Sequence, residues 1–346
     1  MRIAIVTDAW SPQVNGVVNT LKATSRHLRG NGHSVLMVTP ENMKSYACPT
    51  YPEIRLAYKP YARVATQLEE FDPDCIHIAT EGPLGLAARR FCLNNGLEFT
   101  TAYHTRFPEY LKARFHLPLA ISYRWLNWFH GPARAVMVPT PGVQMALEQN
   151  GFTNAVQWGR GVDVNYFKPG WREEKTTLRR PLYLYVGRIA VEKNIEAFLQ
   201  MELPGAKWVI GDGPMREELE MKYPEVRFLG ARAHEALPAY YNCADVFVFP
   251  SRTDTFGLVL AEAMACGVPV AAYPVEGPMD VVTHGKSGIL DEDLARACFE
   301  ALKLPREQVR EYALAFSWDI ATQQFLQHLH PVRKTAHIPL IQSSMA

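Results

Sequence analysis

The sequence predicts an α/β protein made of two doubly wound parallel-sheet units, and three observations carry that expectation. Apolar strand-like runs alternate with helical runs along almost the whole chain, the pattern of repeated βαβ units. The 346 residues exceed one ordinary core, so two units of roughly 150–180 residues are expected. Several strand runs end in a short polar or Gly-containing loop that leads into a helix, the place where open α/β sheets hold ligands.

The first strand run is RIAIVT at residues 2–7; a loop with Pro12 and Gly16 opens a helix, and HSVLMVT at 33–39 is the second strand, which completes a βαβ unit. No GxGxxG follows the first strand, which weakens a dehydrogenase reading. Gly16 either lets a ligand approach the backbone closely or serves a plain tight turn. The strand runs CIHIA, EFTTAYH and RAVMVP then alternate with the helical runs PLGLAARRFCLNN and TPGVQMALEQN up to residue 152. Asp72 and Asp74 form a DPD string before a strand; with no third ligand nearby it reads as a solvated loop rather than a metal site. His104 stands just after a strand run, at a ligand-holding position or as a satisfied structural histidine.

Residues 110–135 are aromatic and basic. Ile121, Trp125, Trp128 and Phe129 share one helical face, with Lys112, Arg114 and Arg124 near it. Up to residue 170 there are 17 Lys/Arg against 12 Asp/Glu, and residues 104–134 alone hold five Lys/Arg and one Glu. Such a stretch suits an anionic membrane surface, core packing being the alternative. The polar run WREEKTTLRRP follows an irregular, turn-rich crossing at 159–169. We therefore place one unit at 1–170, a second at 171–316, a helix crossing back to the first at 317–330, and a tail at 331–346.

The second unit opens with the strand LYLYVG and runs through Gly187 into RIAVEKNIEAF, where Arg188 and Lys193 flank a helix start. AKWVIGDGP repeats the strand-to-glycine turn with Gly211 and Asp212, and VRFLG leads through Ala231 and Arg232 to the helical run HEALPAYYNCAD. The strand ADVFVF then feeds residues 250–267, PSRTDTFGLVLAEAMACG. Gly257 opens the helix, Gly267 closes it, and its free N–H groups and positive dipole end suit an anion such as pyrophosphate. Asp254 lies in the loop; Glu262 lies about 7.5 Å deeper along the helix by its rise alone. Two carboxylates so spaced suit the two ends of a sugar nucleotide, or else are a capping Asp and a core Glu held by a salt bridge. A buried Glu262 needs donors, from ribose hydroxyls or from a Lys or Arg of another segment.

Composition narrows the classes further. Hydrophobic content of 48% with 21% charged residues describes a folded soluble chain. Six scattered cysteines with no CxxC pair and no histidine at zinc spacing read as buried thiols of a reducing compartment. No signal-peptide core or membrane span is visible, so a cytoplasmic location is expected.

Residues 250–267 resemble the acidic E-x7-E signature of retaining GT-B glycosyltransferases of family GT4, with Asp254 in place of the first Glu and Glu262 as the second. The one-methylene departure shortens the reach of the first acid and puts the donor sugar in doubt more than the reaction. VNGVV around Gly16, the GR and EKN elements at Arg188 and Lys193, and VTDAWSPQVNGVV, YHTRFPEYL and PSRTDTFGL occurring together extend the resemblance to residues 1–328, with a glycolipid-forming and mannosyltransferase-like flavour.

The resemblance implies a GT-B fold and transfer of a hexosyl unit from a UDP- or GDP-sugar to a hydroxyl with retention. It implies that Arg188, Lys193 and the Gly257 helix start hold the pyrophosphate and that Gly16 closes over it. Gly187, Gly211 and Asp212 would lie beside the donor, and Ala231 and Arg232 beside the base. Asp254 would meet the sugar, Thr255, Phe256 and Leu258 the donor, Glu262 the ribose, and His104 would stabilise charge near the sugar. Neither metal nor cofactor is implied, because the cations supply the counter-charge and the leaving phosphate helps to deprotonate the acceptor. The expected acceptor is a lipid, such as diacylglycerol or a lipid-linked sugar, reached by peripheral binding to the inner membrane face; nucleic acid is not an expected partner. A soluble sugar acceptor, a nucleotide-sugar epimerase and a binding protein without turnover stay open.

Overall fold

The structure, a computed structural model, describes residues 1–332 apart from 14, 42, 49, 50, 106, 110, 111, 113–116 and 171–178. The first sheet takes β1 (Arg2–Val6) and β2 (Ser34–Val38), a separate antiparallel hairpin follows as β3 (Ser45–Cys48) and β4 (Tyr51–Ala57), and the sheet resumes with β5 (Cys75–Ile78), β6 (Thr100–Ala102), β7 (Val136–Val138) and β8 (Ala155–Gln157). Its six strands are parallel in the order β2-β1-β5-β6-β7-β8. The second sheet is β9 (Leu182–Val186), β10 (Ala206–Ile210), β11 (Arg227–Phe228), β12 (Val246–Phe249), β13 (Val270–Ala272) and β14 (Gly288–Leu290), also all parallel, in the order β11-β10-β9-β12-β13-β14. The doubly wound α/β expectation therefore holds, while the hairpin of residues 45–57 escaped the sequence reading.

Strand order decides where ligands go. Direction reverses between β9 and β12 in the second sheet, and the crevice outside the carboxyl ends of such neighbouring strands is where doubly wound folds bind ligands. Arg188 follows β9 by two residues and Asp254 follows β12 by five, so the two motifs singled out by sequence flank one switch point. In the first sheet the reversal falls between β1 and β5.

Local chemistry fixes the helices that face the cleft. Asn15 caps the helix Gly16–Gly30 by accepting the Val18 N–H at 3.0 Å, and Thr140 caps the helix Pro141–Gln149 through the Val143 N–H at 3.3 Å. The DPD string is structural: Asp72 ends the helix Tyr61–Phe71 in the left-handed conformation, and Asp74 accepts the Arg2 N–H at 2.7 Å. The helix Trp318–His328 lies along the first sheet's side of the molecule. Its Phe325 packs with Ile3, Ile5, Leu21 and Trp158, and Asp319 meets His27 at 3.2 Å.

Residues 104–134 divide differently from the expectation. On the helix Leu119–His130, Ile121, Trp125 and Trp128 are exposed, whereas Phe129 is fully buried and packs in the core with Ile76 and Phe91. Phe129 therefore leaves the proposed outer face; Trp125 stacks on it at 5.8 Å between ring centres. Arg89 lies 4.1 Å from the Trp128 ring and donates to the carbonyls of Trp128 and Phe129, which places a cation at the negative end of this helix. Lys112 and Arg124 are exposed, while Arg114 and the tail from 333 lie outside the described residues. Among the described residues no helix is long and apolar enough to cross a membrane.

Candidate active site

The second sheet's switch point gathers the cationic turn and the acidic loop. Lys193 ends the 3-10 turn Val191–Lys193, and its ammonium is ion-paired with Asp254. Asn194, left-handed at φ 50°, donates to the Pro250 carbonyl at 3.0 Å, and the Thr253 hydroxyl donates to the Glu192 carbonyl at 3.1 Å. Three contacts thus lock the two loops together across 56 to 61 residues of sequence. Sequence reasoning gave Lys193 and Asp254 to different ligand groups; in the structure the two pair with each other, as opposite charges in a partly dry loop favour.

Close packing of backbone shapes the turns after β9 and β10. The Gly211 N–H donates to the Gly230 carbonyl at 3.0 Å, and a Cβ on Gly211 (φ 142°) would lie 1.8 Å from the Gly187 carbonyl oxygen, so only glycine lets the turns after β9 and β10 nest. Tyr185 donates its hydroxyl to the Arg188 carbonyl at 2.7 Å, fixing the first residues after β9. Asp212 turns away into its own loop: it accepts the Gly213 N–H at 2.8 Å and pairs with Arg216 at 3.1 Å. Ala231 and Arg232 are exposed, and the Arg232 guanidinium lies 5.9 Å from the Tyr240 ring.

Gly257 adopts φ 75°, ψ 75° and starts the helix Leu258–Ala265 with no side-chain cap, so its first N–H groups point into the cleft region without a protein side chain to satisfy them. A Cβ on Gly16 would sit 3.7 Å from Leu258 Cδ1. The N-terminus of helix Gly16–Gly30 and that of helix Leu258–Ala265 therefore meet across the cleft, two positive dipole ends converging on one place. The Phe256 ring is 6% exposed and meets Phe316 edge-on at 5.7 Å within the second unit's core.

Glu262 is buried at 5% exposure. The donors expected from a Lys or Arg are instead His234 Nε2 at 3.0 Å and the Tyr241 hydroxyl at 2.9 Å. Hydrogen bonding to Glu262 raises the pKa of His234, and burial beside that carboxylate raises the pKa of Tyr241 well above its usual value. The carboxylate is thus held rigidly at the floor of the site, next to the 230–234 loop.

From the first unit His104 completes the cleft. Its main-chain carbonyl accepts the Thr255 hydroxyl at 2.9 Å, a bond between the two units, and its Nδ1 lies 3.1 Å from Arg160 Nη2. Burial, then the charge of Arg160, holds the His104 pKa well below the ordinary imidazole value, so the ring stays neutral. Arg160 was missed in the sequence: it sits in the irregular crossing after β8, where no periodicity flags it. Asp8, at the carboxyl end of β1, was missed too. It accepts the Leu84 N–H at 2.9 Å and the Thr80 hydroxyl at 2.9 Å, capping the helix Pro83–Asn94 at the first sheet's switch point.

Comparison with known proteins decides the class. Residues 14–166 match the family described as Glycosyltransferase Family 4, and residues 180–303 match Glycosyl transferases group 1. A GDP-mannose-dependent alpha-mannosyltransferase of Mycobacterium tuberculosis is 30% identical over 96% of this chain and 97% of its own. The chain belongs to glycosyltransferase family 4. This glycosyltransferase is also 25% identical to the alpha-monoglucosyldiacylglycerol synthase of Streptococcus pneumoniae, over 95% of this chain and 85% of that one. Its fold is GT-B. The sucrose-phosphate synthase of Thermosynechococcus elongatus superposes with a TM-score of 0.76 at 22% identity, covering 94% of this chain and 97% of that one.

Proposed function

We propose that this glycosyltransferase moves a mannosyl unit from GDP-mannose, with retention at the anomeric carbon, to a hydroxyl of a lipid or lipid-linked acceptor at the inner membrane face. The observation that carries the reading is that Lys193, in the turn after β9 and paired with Asp254, stands at the same switch point as the uncapped helix start at Gly257, which Gly16 of the first unit approaches at Leu258. The cations and N–H groups bind the pyrophosphate and stabilise the charge that grows on the departing nucleotide. In this reading Asp254 exchanges part of its contact with Lys193 for sugar hydroxyls, and Glu262, steadied by His234 and Tyr241, accepts from the ribose. Gly187, Gly211 and Asp212 border the phosphates, Ala231 and Arg232 flank the base, and Thr255, Phe256 and Leu258 offer backbone groups. Asp254 is neutralised by Lys193 and so makes a poor covalent nucleophile. Front-face displacement, in which the leaving phosphate takes the acceptor proton, fits that arrangement without a metal or a cofactor.

The donor base and sugar are supported by the mannosyltransferase relatives, three of which match at 29–31% identity. A lipid acceptor is supported by the two diacylglycerol glycosyltransferase relatives at 25% and 27% identity, and by exposed Ile121, Trp125 and Trp128 beside Lys112 and Arg124. We divide the labour at residue 170: residues 1–170 meet the acceptor, residues 171–316 hold the donor, and the helix after 317 braces the first unit.

A thermal-shift panel with GDP, GDP-mannose, UDP and UDP-glucose tests the donor. A ligand at 100 times its dissociation constant adds about 2.7 kcal/mol, and GDP-mannose and GDP are expected to stabilise the fold while the uridine compounds do not. Stabilisation by UDP-glucose alone moves the donor assignment, and stabilisation by none of the four overturns the site.

A further inference from the structure

Arg160 is 5% exposed, yet its hydrogen bonds among the described residues go to no carboxylate. Nη1 donates to the carbonyls of Trp158 and Gly159, the guanidinium carbon lies over the Trp158 ring at 4.2 Å, and Nη2 meets His104 Nδ1 at 3.1 Å. A buried cation without a counter-charge is costly, so these contacts serve something other than stability. A guanidinium only donates, and the nitrogen that faces it must accept. Nδ1 of His104 is therefore unprotonated, and in the neutral ring the proton sits on Nε2.

That second nitrogen is shielded from water and has no protein partner among the described residues. An orphaned buried N–H costs about 1–3 kcal/mol, a cost that a ligand oxygen removes. The His104 ring is held in place from three directions. Its edge meets Trp158 at 5.7 Å, its carbonyl takes the Thr255 hydroxyl, and Arg160 grips Nδ1.

We propose that Arg160 is a positioning residue that fixes His104 as the neutral tautomer protonated at Nε2, so that the ring offers a hydroxyl oxygen of the transferred sugar a hydrogen-bond donor and never acts as a base. The sugar contact rests on the function proposed above; the tautomer does not. Burial and the Arg160 charge hold His104 in its neutral form, in keeping with the geometry.

Long-range nitrogen–proton NMR on 15N-histidine-labelled protein reads the tautomer directly, with no ligand present. The wild type is expected to show neutral, Nε2-protonated His104 across the range in which free histidine titrates. An Nδ1-protonated ring or an imidazolium in the wild type overturns the inference, whatever any variant does. In Arg160→Leu the ring is expected to stay neutral but to take up both tautomers. Arg160→Gln keeps an amide donor for Nδ1 without the charge and is expected to keep the wild-type tautomer. With GDP-mannose and a lipid acceptor, Arg160→Leu should lose about 10- to 100-fold in kcat with little change in KM for the donor, the usual scale for losing a residue that orients another, while Arg160→Gln recovers most of it. Equal losses in the two variants, or an unchanged tautomer in Arg160→Leu, sinks the positioning role. His104→Ala with unchanged kcat would instead sink the sugar contact while leaving the tautomer result standing.

Discussion

The Thr255 hydroxyl donates to the main-chain carbonyl of His104 at 2.9 Å, and through this bond the donor loop of one unit leans on the acceptor side of the other. Thr255 is received from the same side a second time, because the Thr140 hydroxyl reaches its carbonyl at 3.5 Å. Thr255 thus joins the two units twice, beside the Gly142 N–H, which donates to Asp280 at 3.3 Å. Thr255→Val keeps the shape and removes the donor, which costs about 1 kcal/mol of the closed form. We expect kcat/KM to fall about fivefold, with an increased radius of gyration by small-angle scattering; unchanged kinetics would show that closure does not use this bond.

Arg188 and Lys193 carry the charge argument. Arg188→Ala or Lys193→Ala should lower kcat by about two orders of magnitude, the loss typical of one transition-state donor. Lys193→Ala has a second consequence, since it strips Asp254 of its ion-pair partner. Its donor KM should therefore rise, whereas that of Arg188→Ala rises less. A variant of either residue with near-normal kcat/KM removes it from the site.

Much of this was legible because local signals were consistent. The six-stranded sheets follow from apolar runs of five or so residues, and the helix after β12 from the glycines at 257 and 267, each a rule of one or two turns of chain. Pairings across long separations were not legible. Lys193 and Asp254 stand 61 residues apart, Glu262 and His234 stand 28 apart, and each pair exists only because the strand order brings their loops together. The burial of Phe256 was not legible for a related reason: belonging to a motif says nothing about which way a side chain points just before a left-handed glycine. Arg160 had a signal, a lone cation between glycines in a short apolar crossing, but nothing in its spacing said that it was buried.

Asp254 and Glu262 should separate by ligand. Glu262→Gln places an amide NH2 against His234 or Tyr241, an unfavourable buried contact worth about 1–3 kcal/mol, and should weaken binding of GDP itself. Asp254→Asn should matter only when the sugar is attached. Calorimetry with GDP and GDP-mannose on variants whose melts remain cooperative measures both. Equal losses for the two variants would defeat the assignment.

Asp8 makes the enzyme's stability depend on pH. Burial pushes its carboxyl up to about 6, against the lowering effect of the bonds from Leu84, Thr80 and Gly85. A folded pKa above the unfolded one means that the stabilising contribution is complete below about pH 4 and is lost as pH rises through 6. Raised from 3.8 to about 6, the shift amounts to about 3 kcal/mol. Asp8→Asn cannot ionise but keeps an acceptor for the helix cap. Its stability relative to the wild type should therefore rise between pH 4 and pH 7, as seen in urea melts at both values; a pH-independent difference would place the Asp8 pKa in the ordinary range.

The membrane surface gives the last prediction. Trp125 is 42% and Trp128 is 53% exposed, so their rings are not interior packing, although Trp128 also lies under Arg89. Each Lys or Arg near an anionic bilayer contributes about 1 kcal/mol, which salt screens, and buried aromatic area adds a term that salt does not weaken. Wild-type enzyme should therefore sediment with anionic vesicles and less so with neutral ones, losing part of this binding at high salt. Lys112→Glu with Arg124→Glu should abolish the salt-sensitive part. Trp125→Ala should weaken the remainder while leaving the melting temperature almost unchanged, as truncation of a surface side chain does. If Trp125→Ala unfolds the protein, the ring belongs to the core. If the charge-reversed variant binds anionic vesicles as well as the wild type does, the contact surface lies elsewhere and a soluble sugar becomes the better acceptor.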